Sequence, residues 1–586
     1  MKIKFYTLIP LCAAIALFFS SCSKDDGDNS PEQPTTPTQN EYKYLSDYNS
    51  TDYPTETNTW TIYDKSASAS DFAGLREALE SRPNRSITVV LNEMEVIPSA
   101  AFTQIVEFTN MQITVSAPAA TTVESGAFAN CYNLIAASLP KLTTVSAYTF
   151  GGNESTFYSF NTLELASDEG VSLSEINSNA FGDLPLSDIT LTVGDSNLDM
   201  VDYDYKLTVD NNTYGAFNSI IVKRYNPIEI DSVEELTKIG NGRYYYLYSD
   251  SYLLTEPIEF TGSWTPIGNN TSNLFSGTFD GNNMAITGLT VSSGTYRGLF
   301  GCIYGATIKN VVIENPTISG GTYSGALVGY IQGESTIENC TVSGGSIATS
   351  TSSGMVGGLI GRIFANDSTI TISSCSNSSN VSSTNTTNVG GLVGRANTEY
   401  SGSIAITKCY NNGHISTTNS STHLGGIAGQ TDAYSTGAIS ITGCYNNGTI
   451  SGNCYNAGGI AGLVSSNTGS ATITVTSSYN SGYVSATSAS GYCGGVIGCE
   501  LPLVTHDVLS YNSCYFIYQT YGVDLGVGNS TSYSEMKLES LDALNAVVNT
   551  MNSAIKAAGY SDVSYTANTD PYLPSLMGEE IEFAAN

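Results

Sequence analysis

The chain has 586 residues, of which 13% are charged, and its formal net charge is −32 at pH 7. That length holds two or three domains. The negative charge repels nucleic acid and anionic membrane surfaces, which excludes nucleic acid as a partner.

Residues 1–21 carry Lys2 and Lys4, then an apolar run from Leu8 to Phe19. This predicts a signal peptide, too short and wrongly flanked for a membrane span. Phe19-Ser20-Ser21-Cys22 resembles a lipobox, with Phe where Leu is more usual. The resemblance implies cleavage before Cys22, lipidation of its thiol and attachment to a membrane through the lipid. Ser23-Lys24-Asp25-Asp26 resembles the acidic export tag of Bacteroidota surface lipoproteins, which implies the outer face of the outer membrane. Residues 22–42, rich in Pro, Thr, Gln and Asn, are expected to be a disordered tether.

Residues 43–227 are expected to form a first domain. A strand is predicted around Asn58–Tyr63, a helix over Phe72–Ser81 with Leu75 and Leu79 on one face, and a strand over Ile87–Leu91. A repeat follows whose phenylalanines, Phe102, Phe128, Phe150 and Phe181, are 26, 22 and 31 residues apart. Its segments, such as Val123-Glu124-Ser125-Gly126-Ala127-Phe128, resemble BspA-type leucine-rich repeats. The implied fold is a short solenoid with one strand per turn and Phe and Leu inside. Val201 to Pro227 reads as closing strands and a linker.

Residues 228–530 are expected to form a right-handed parallel β-helix. Ser232-Val233-Glu234-Glu235 has capping-box form and opens a helix through Ile239, expected to plug the near end and cover its strand edges. Then a motif of a small residue, two apolar residues and Gly recurs seven times, from Gly298-Leu299-Phe300-Gly301 to Gly495-Val496-Ile497-Gly498. The closing glycines are 28, 32, 33, 35, 33 and 36 residues apart, a spacing that marks a repeat architecture. Each unit adds an alternating β-branched run such as Ile439-Ser440-Ile441-Thr442-Gly443-Cys444-Tyr445, a turn such as Asn446-Asn447-Gly448, and a short strand, giving three strands per coil. These residues resemble the GLUG-motif repeats of bacterial surface proteins, over about residues 228–515. Stacked coils predict three columns: Cys340, Cys375, Cys409, Cys444 and Ser478 inside; Asn377, Asn411, Asn446 and Asn480 as an amide ladder; and Tyr410, Tyr445 and Tyr479 as an aromatic stack.

In residues 531–586 a helix is predicted from Ser540 to about Ala558, capping the far end of the solenoid.

Few residues point to chemistry. No HExxH spacing, GxSxG elbow or Gly-Lys P-loop occurs, so neither a cofactor nor a metal is expected. Acids between Gly298 and Cys514 are few and scattered, whereas a polysaccharide lyase or glycosidase clusters its carboxylates. The chain is therefore expected not to be an enzyme, with a glycan-active β-helix enzyme as the alternative. Arg362 and Arg395 each follow a motif Gly and align, with Gln430 next. They are expected either to point into solvent, since like charges repel, or to contact an anion or acidic sugar. Tyr410, Tyr445 and Tyr479 are read either as a sugar platform or as packing of the coil surface. The column cysteines are expected to be buried thiols, and a Cys454–Cys493 bridge is allowed. The sum is a lipid-anchored outer-membrane surface protein that binds a surface protein or glycan without catalysis; a passive stalk is a further alternative.

Overall fold

The computed structural model describes residues 43–49, 57–81, 85–103, 111–151, 160–182, 184–201, 204–223, 225, 227–242, 246–488, 491–502, 508–518, 523–567, 572–576 and 581–582. The expected signal peptide, Cys22 and the tether lie outside them. The chain divides into two compact units, Met1–Thr192 with Tyr205–Ile220, and Val193–Asp204 with Ile221–Asn586. It is mainly β, and none of its described helices is long and apolar enough to cross a membrane.

The first unit holds helix α1 (Ala73–Glu80), with Leu75 and Leu79 buried, and a largely parallel seven-stranded sheet running from Thr59–Ile62 to Ser219–Lys223. A second sheet joins Val96–Ile97, Thr122–Val123, Thr144–Val145 and Glu175–Ile176. Each repeat therefore supplies two strands, not one. The short strand is only two residues long, below what a hydrophobic pattern can register. Phe102, Phe128, Phe150 and Phe181 stack inside, with successive ring centroids 5.2, 5.5 and 5.9 Å apart.

The second unit is a parallel β-helix built of five sheets, two of ten strands and three of seven. One coil gives Ile360–Asn366, Thr369–Ser373, Ser376–Asn377, Asn380–Ser383 and Asn388–Gly390. Five strands per coil replace the three predicted, because runs that look continuous in sequence contain corners. Ile404 to Tyr410 breaks at Lys408, whose φ is 55°, and equivalent left-handed residues occur at Ser374 (52°), Gly443 (61°) and Ser477 (48°). Helix α2 (Val233–Lys238) is capped by the Ser232 hydroxyl, which accepts from the Glu235 amide, and it sets Leu236 into the core of the solenoid.

The predicted columns are present. Cys340, Cys375, Cys409, Cys444 and Ser478 are all 0% exposed, and Cys514 extends the series at 2%. Burial pushes the Cys514 thiol up to about 12. Along the amide ladder, each Asn Nδ2 donates to the next Asn Oδ1, at 2.8, 2.8 and 2.7 Å.

The motif glycines make this cross-section possible, and three positions have three reasons. A Cβ on Gly425 would lie 1.9 Å from the Ala428 carbonyl oxygen. One on Gly426 would lie 2.0 Å from the Gly459 oxygen and 2.5 Å from Asn446 Cγ. One on the closing Gly429 would lie 2.7 Å from the Val389 amide of the preceding coil. The chain thus folds back on itself at the motif, and Gly426 leaves the interior room for the asparagine ladder.

The C-terminal helices correct one expectation. Two helices, α3 (Leu541–Ala546) and α4 (Val548–Ala557), replace one, and they pack outside the coils against Tyr445, Tyr479 and Ile517. The far end of the interior core is met instead by Val527 and Met536. An exposed aromatic stack offers the helices' apolar stripe more surface to bury than the narrow end of a coil does.

Candidate functional site

Two facing strand columns flank the motif. One holds Tyr296, Tyr323, Met355, Asn388, His423, Asn456 and Tyr492 in register. The other holds Cys302, Tyr330, Arg362, Arg395, Gln430, Leu463 and Cys499. Val356, Val389, Ile363 and Ala396, the alternating neighbours, belong to the core, so these columns point away from it, although Cys302, Tyr330, Asn388 and Asn456 among them are themselves buried.

Arg362 and Arg395 do align, yet neither simply points into solvent. Arg362 Nε and Nη2 both donate to Asn397 Oδ1 at 3.1 Å, and Nη1 donates to the Tyr323 hydroxyl at 3.3 Å. Its Cζ lies 5.7, 5.5 and 5.3 Å from the ring centroids of Tyr323, Tyr330 and Phe364. Tyr296, Tyr323 and Tyr330 stack mutually at 5.4 to 5.9 Å. Arg395 Nε donates to Asp432 Oδ2 at 2.7 Å, with the Asp432 side chain 2% exposed. Asp432 Oδ1 also accepts from Gln430 at 2.7 Å and from the Ser465 hydroxyl. Each arginine reaches forward one coil, so side-chain acceptors offset the like-charge repulsion that sequence reasoning expected to dominate.

The tyrosine stack resolves as packing. Tyr410–Tyr445 and Tyr445–Tyr479 are parallel, 4.8 and 5.1 Å apart. Tyr445 and Tyr479 are 0% exposed, and the Tyr479 hydroxyl donates to the Pro574 carbonyl at 2.7 Å. These two rings have no face left for a sugar, because residues 541–565 cover them; Tyr410 is half-buried beside the same cluster. Cys454 and Cys493 are free thiols in this structure, and no group of three or more His, Cys, Asp or Glu placed to hold a metal occurs among the described residues.

Sequence reasoning missed Tyr323, Asn397, His423 and Asp432. The repeat itself carried the signal. Tyr323, Asn388, His423 and Asn456 each stand six residues before a closing glycine, while Asn397 and Asp432 each stand three after one. His423 Nδ1 accepts from Asn456 Nδ2 at 3.0 Å, and burial pushes its pKa down to about 4. A His held neutral in the fold takes up its proton more readily when unfolded. Its contribution is therefore complete above about pH 6.5 and lost as pH falls toward 4. Stability is expected to drop by on the order of 2 kcal/mol over that interval, after allowance for partial exposure of the ring. Denaturation midpoints at pH 7.5 and 5 should converge in His423→Gln; an unchanged difference would assign the pH effect elsewhere.

Comparison with known proteins matches residues 320–348 to the family described as "The GLUG motif". Over 210 residues the chain is 40% identical to Halomucin of Haloquadratum walsbyi; the match takes in 34% of this chain and 2% of that protein. The chain thus spans a small fraction of that relative's length. A solved chain from Bacteroides ovatus, provisionally described as an immunoglobulin A1 protease, is 19% identical and covers 60% of this chain and 92% of its own, with a TM-score of 0.38, too low to establish a shared fold.

Proposed function

We propose that this chain, a GLUG-containing β-helix protein, is a non-enzymatic binding module displayed on the cell surface, anchored through lipid on Cys22 to the outer face of the outer membrane. The observation that carries the binding reading is the outward corner where Tyr323, Tyr330 and Phe364 surround Arg362. Those side chains lie off the core column and leave aromatic and cationic groups together at a fixed position, the composition that binding hot spots favour. The ligand is a surface protein or glycan. Asp432, in the column of Phe364 and Asn397, is committed to Arg395, Gln430 and Ser465, which favours binding over acid–base catalysis. The phenylalanine repeat of the first unit is read as BspA-type leucine-rich repeats, and the stretch shared with Halomucin supports an exported setting.

An array of glycans and matrix proteins probed with the purified full chain tests the reading. Binding is expected for a defined subset, and it should fall in Tyr323→Ala. No retained ligand would leave the passive stalk; cleavage of an arrayed glycan would establish the enzyme. Surface display is tested separately, by protease shaving of intact cells expressing the chain or Cys22→Ala. The wild type should be cleaved, and the variant should be lost from the surface.

A further inference from the structure

Arg362 and Arg395 occupy the same column, yet the fold treats them differently. Arg395 is neutralised by Asp432. Arg362 has only neutral acceptors, Asn397 Oδ1 and the Tyr323 hydroxyl, and no carboxylate among the described residues pairs with it. These three bonds leave one N–H on each terminal nitrogen. A partly buried cation with no carboxylate partner is open to an anion. The guanidinium is held from three sides, by Asn397, by Tyr323 and among three rings, so little side-chain freedom is left to lose on binding.

We propose that Arg362, with Tyr323 and Phe364 and backed by the buried Tyr330, forms a subsite for the carboxylate of an acidic sugar; this rests on the binding reading above and specifies its ligand. A carboxylate is planar and takes the paired N–H groups of an arginine. Phe364, half-buried beside the guanidinium, suits the apolar face of the pyranose that bears it. Tyr304, 54% exposed, stands two coils before Phe364 in the same column, where it meets a neighbouring sugar of the same chain. The net charge selects among anions. A polyanion is repelled along its whole length by a chain of formal net charge −32, whereas a saccharide with isolated carboxylates sets only one charge at the guanidinium.

The full chain, titrated with methyl β-glucuronide, its methyl ester, methyl β-glucoside and N-acetylneuraminic acid, decides the matter by saturation-transfer NMR and calorimetry. At least one of the two acids is expected to bind about ten-fold or more tightly than the ester and the glucoside, as loss of a charged hydrogen bond requires. Which acid binds separates a uronate from a sialate source. Arg362→Gln should remove that preference. Equal binding of acid and ester, or no binding of either acid, overturns the proposal, as does an unaltered preference in a folded Arg362→Gln. The acid–ester comparison is made on the wild type, so it decides even if the variant does not fold. A protein or neutral glycan captured on the array, unaffected by Arg362→Gln, would keep the binding reading while this assignment fell.

Discussion

Asn411→Ala is expected to destabilise the β-helix by about 3 kcal/mol or more, since several buried groups lose a partner at once. Asn411 is 0% exposed and sits in the middle of the ladder. Its Nδ2 donates to Asn446 Oδ1 at 2.8 Å and to the Gly413 carbonyl at 2.9 Å. Its Oδ1 accepts from Asn377 Nδ2 at 2.8 Å and from the Gly413 amide at 3.2 Å. Alanine removes all four bonds and admits no water to replace them in a packed interior. Asn411→Asp should be nearly as damaging at neutral pH. It replaces the donor with a charged acceptor facing two acceptors, and protonation of the carboxyl at low pH should restore part of the loss. Urea denaturation and amide exchange at Gly413 measure both effects. A change under about 1 kcal/mol, with Gly413 still protected, would show that the ladder is ornamental to stability.

Gly426→Ala is the second large effect, again about 3 kcal/mol or more. Its Cβ would meet the Gly459 carbonyl oxygen at 2.0 Å and Asn446 Cβ at 2.6 Å. The first of these atoms is backbone of the next coil, so no rotamer change relieves the contact and the coils must separate or shear. Gly262→Ala is the comparison. A Cβ there meets nothing within 4 Å, and a change near zero or a gain of about 0.5 kcal/mol is expected from the stiffer unfolded chain. If Gly426→Ala and Gly262→Ala melt alike, the motif glycines owe their place to something other than room. Because a solenoid unfolds partly coil by coil, local exchange is a better measure here than one global midpoint.

Repetition made much of this legible. A motif that recurs every 28 to 36 residues brings equivalent residues one strand spacing apart, so the cysteine, asparagine and tyrosine columns followed from counting alone. Counting could also have found Tyr323, His423 and Asp432, which keep fixed offsets from the glycines. It could not give the direction of the arginines. Asn397 and Asp432 lie one coil ahead of Arg362 and Arg395, 35 and 37 residues on in sequence, and only the stacking of coils places them within reach.

The β-helix, its coil-to-coil register and the residues that line it are encoded locally, because each coil repeats a short pattern and pairs with its immediate neighbours. How many corners a coil has, which columns are covered and which arginine is left without a counter-ion emerge only once the coils are stacked and the C-terminal helices are in place. The tyrosine stack shows the reason most plainly. Nothing within Tyr410, Tyr445 and Tyr479 distinguishes a surface platform from a packing seam; residues 541–565, far away in sequence, cover it because their apolar stripe finds burial there.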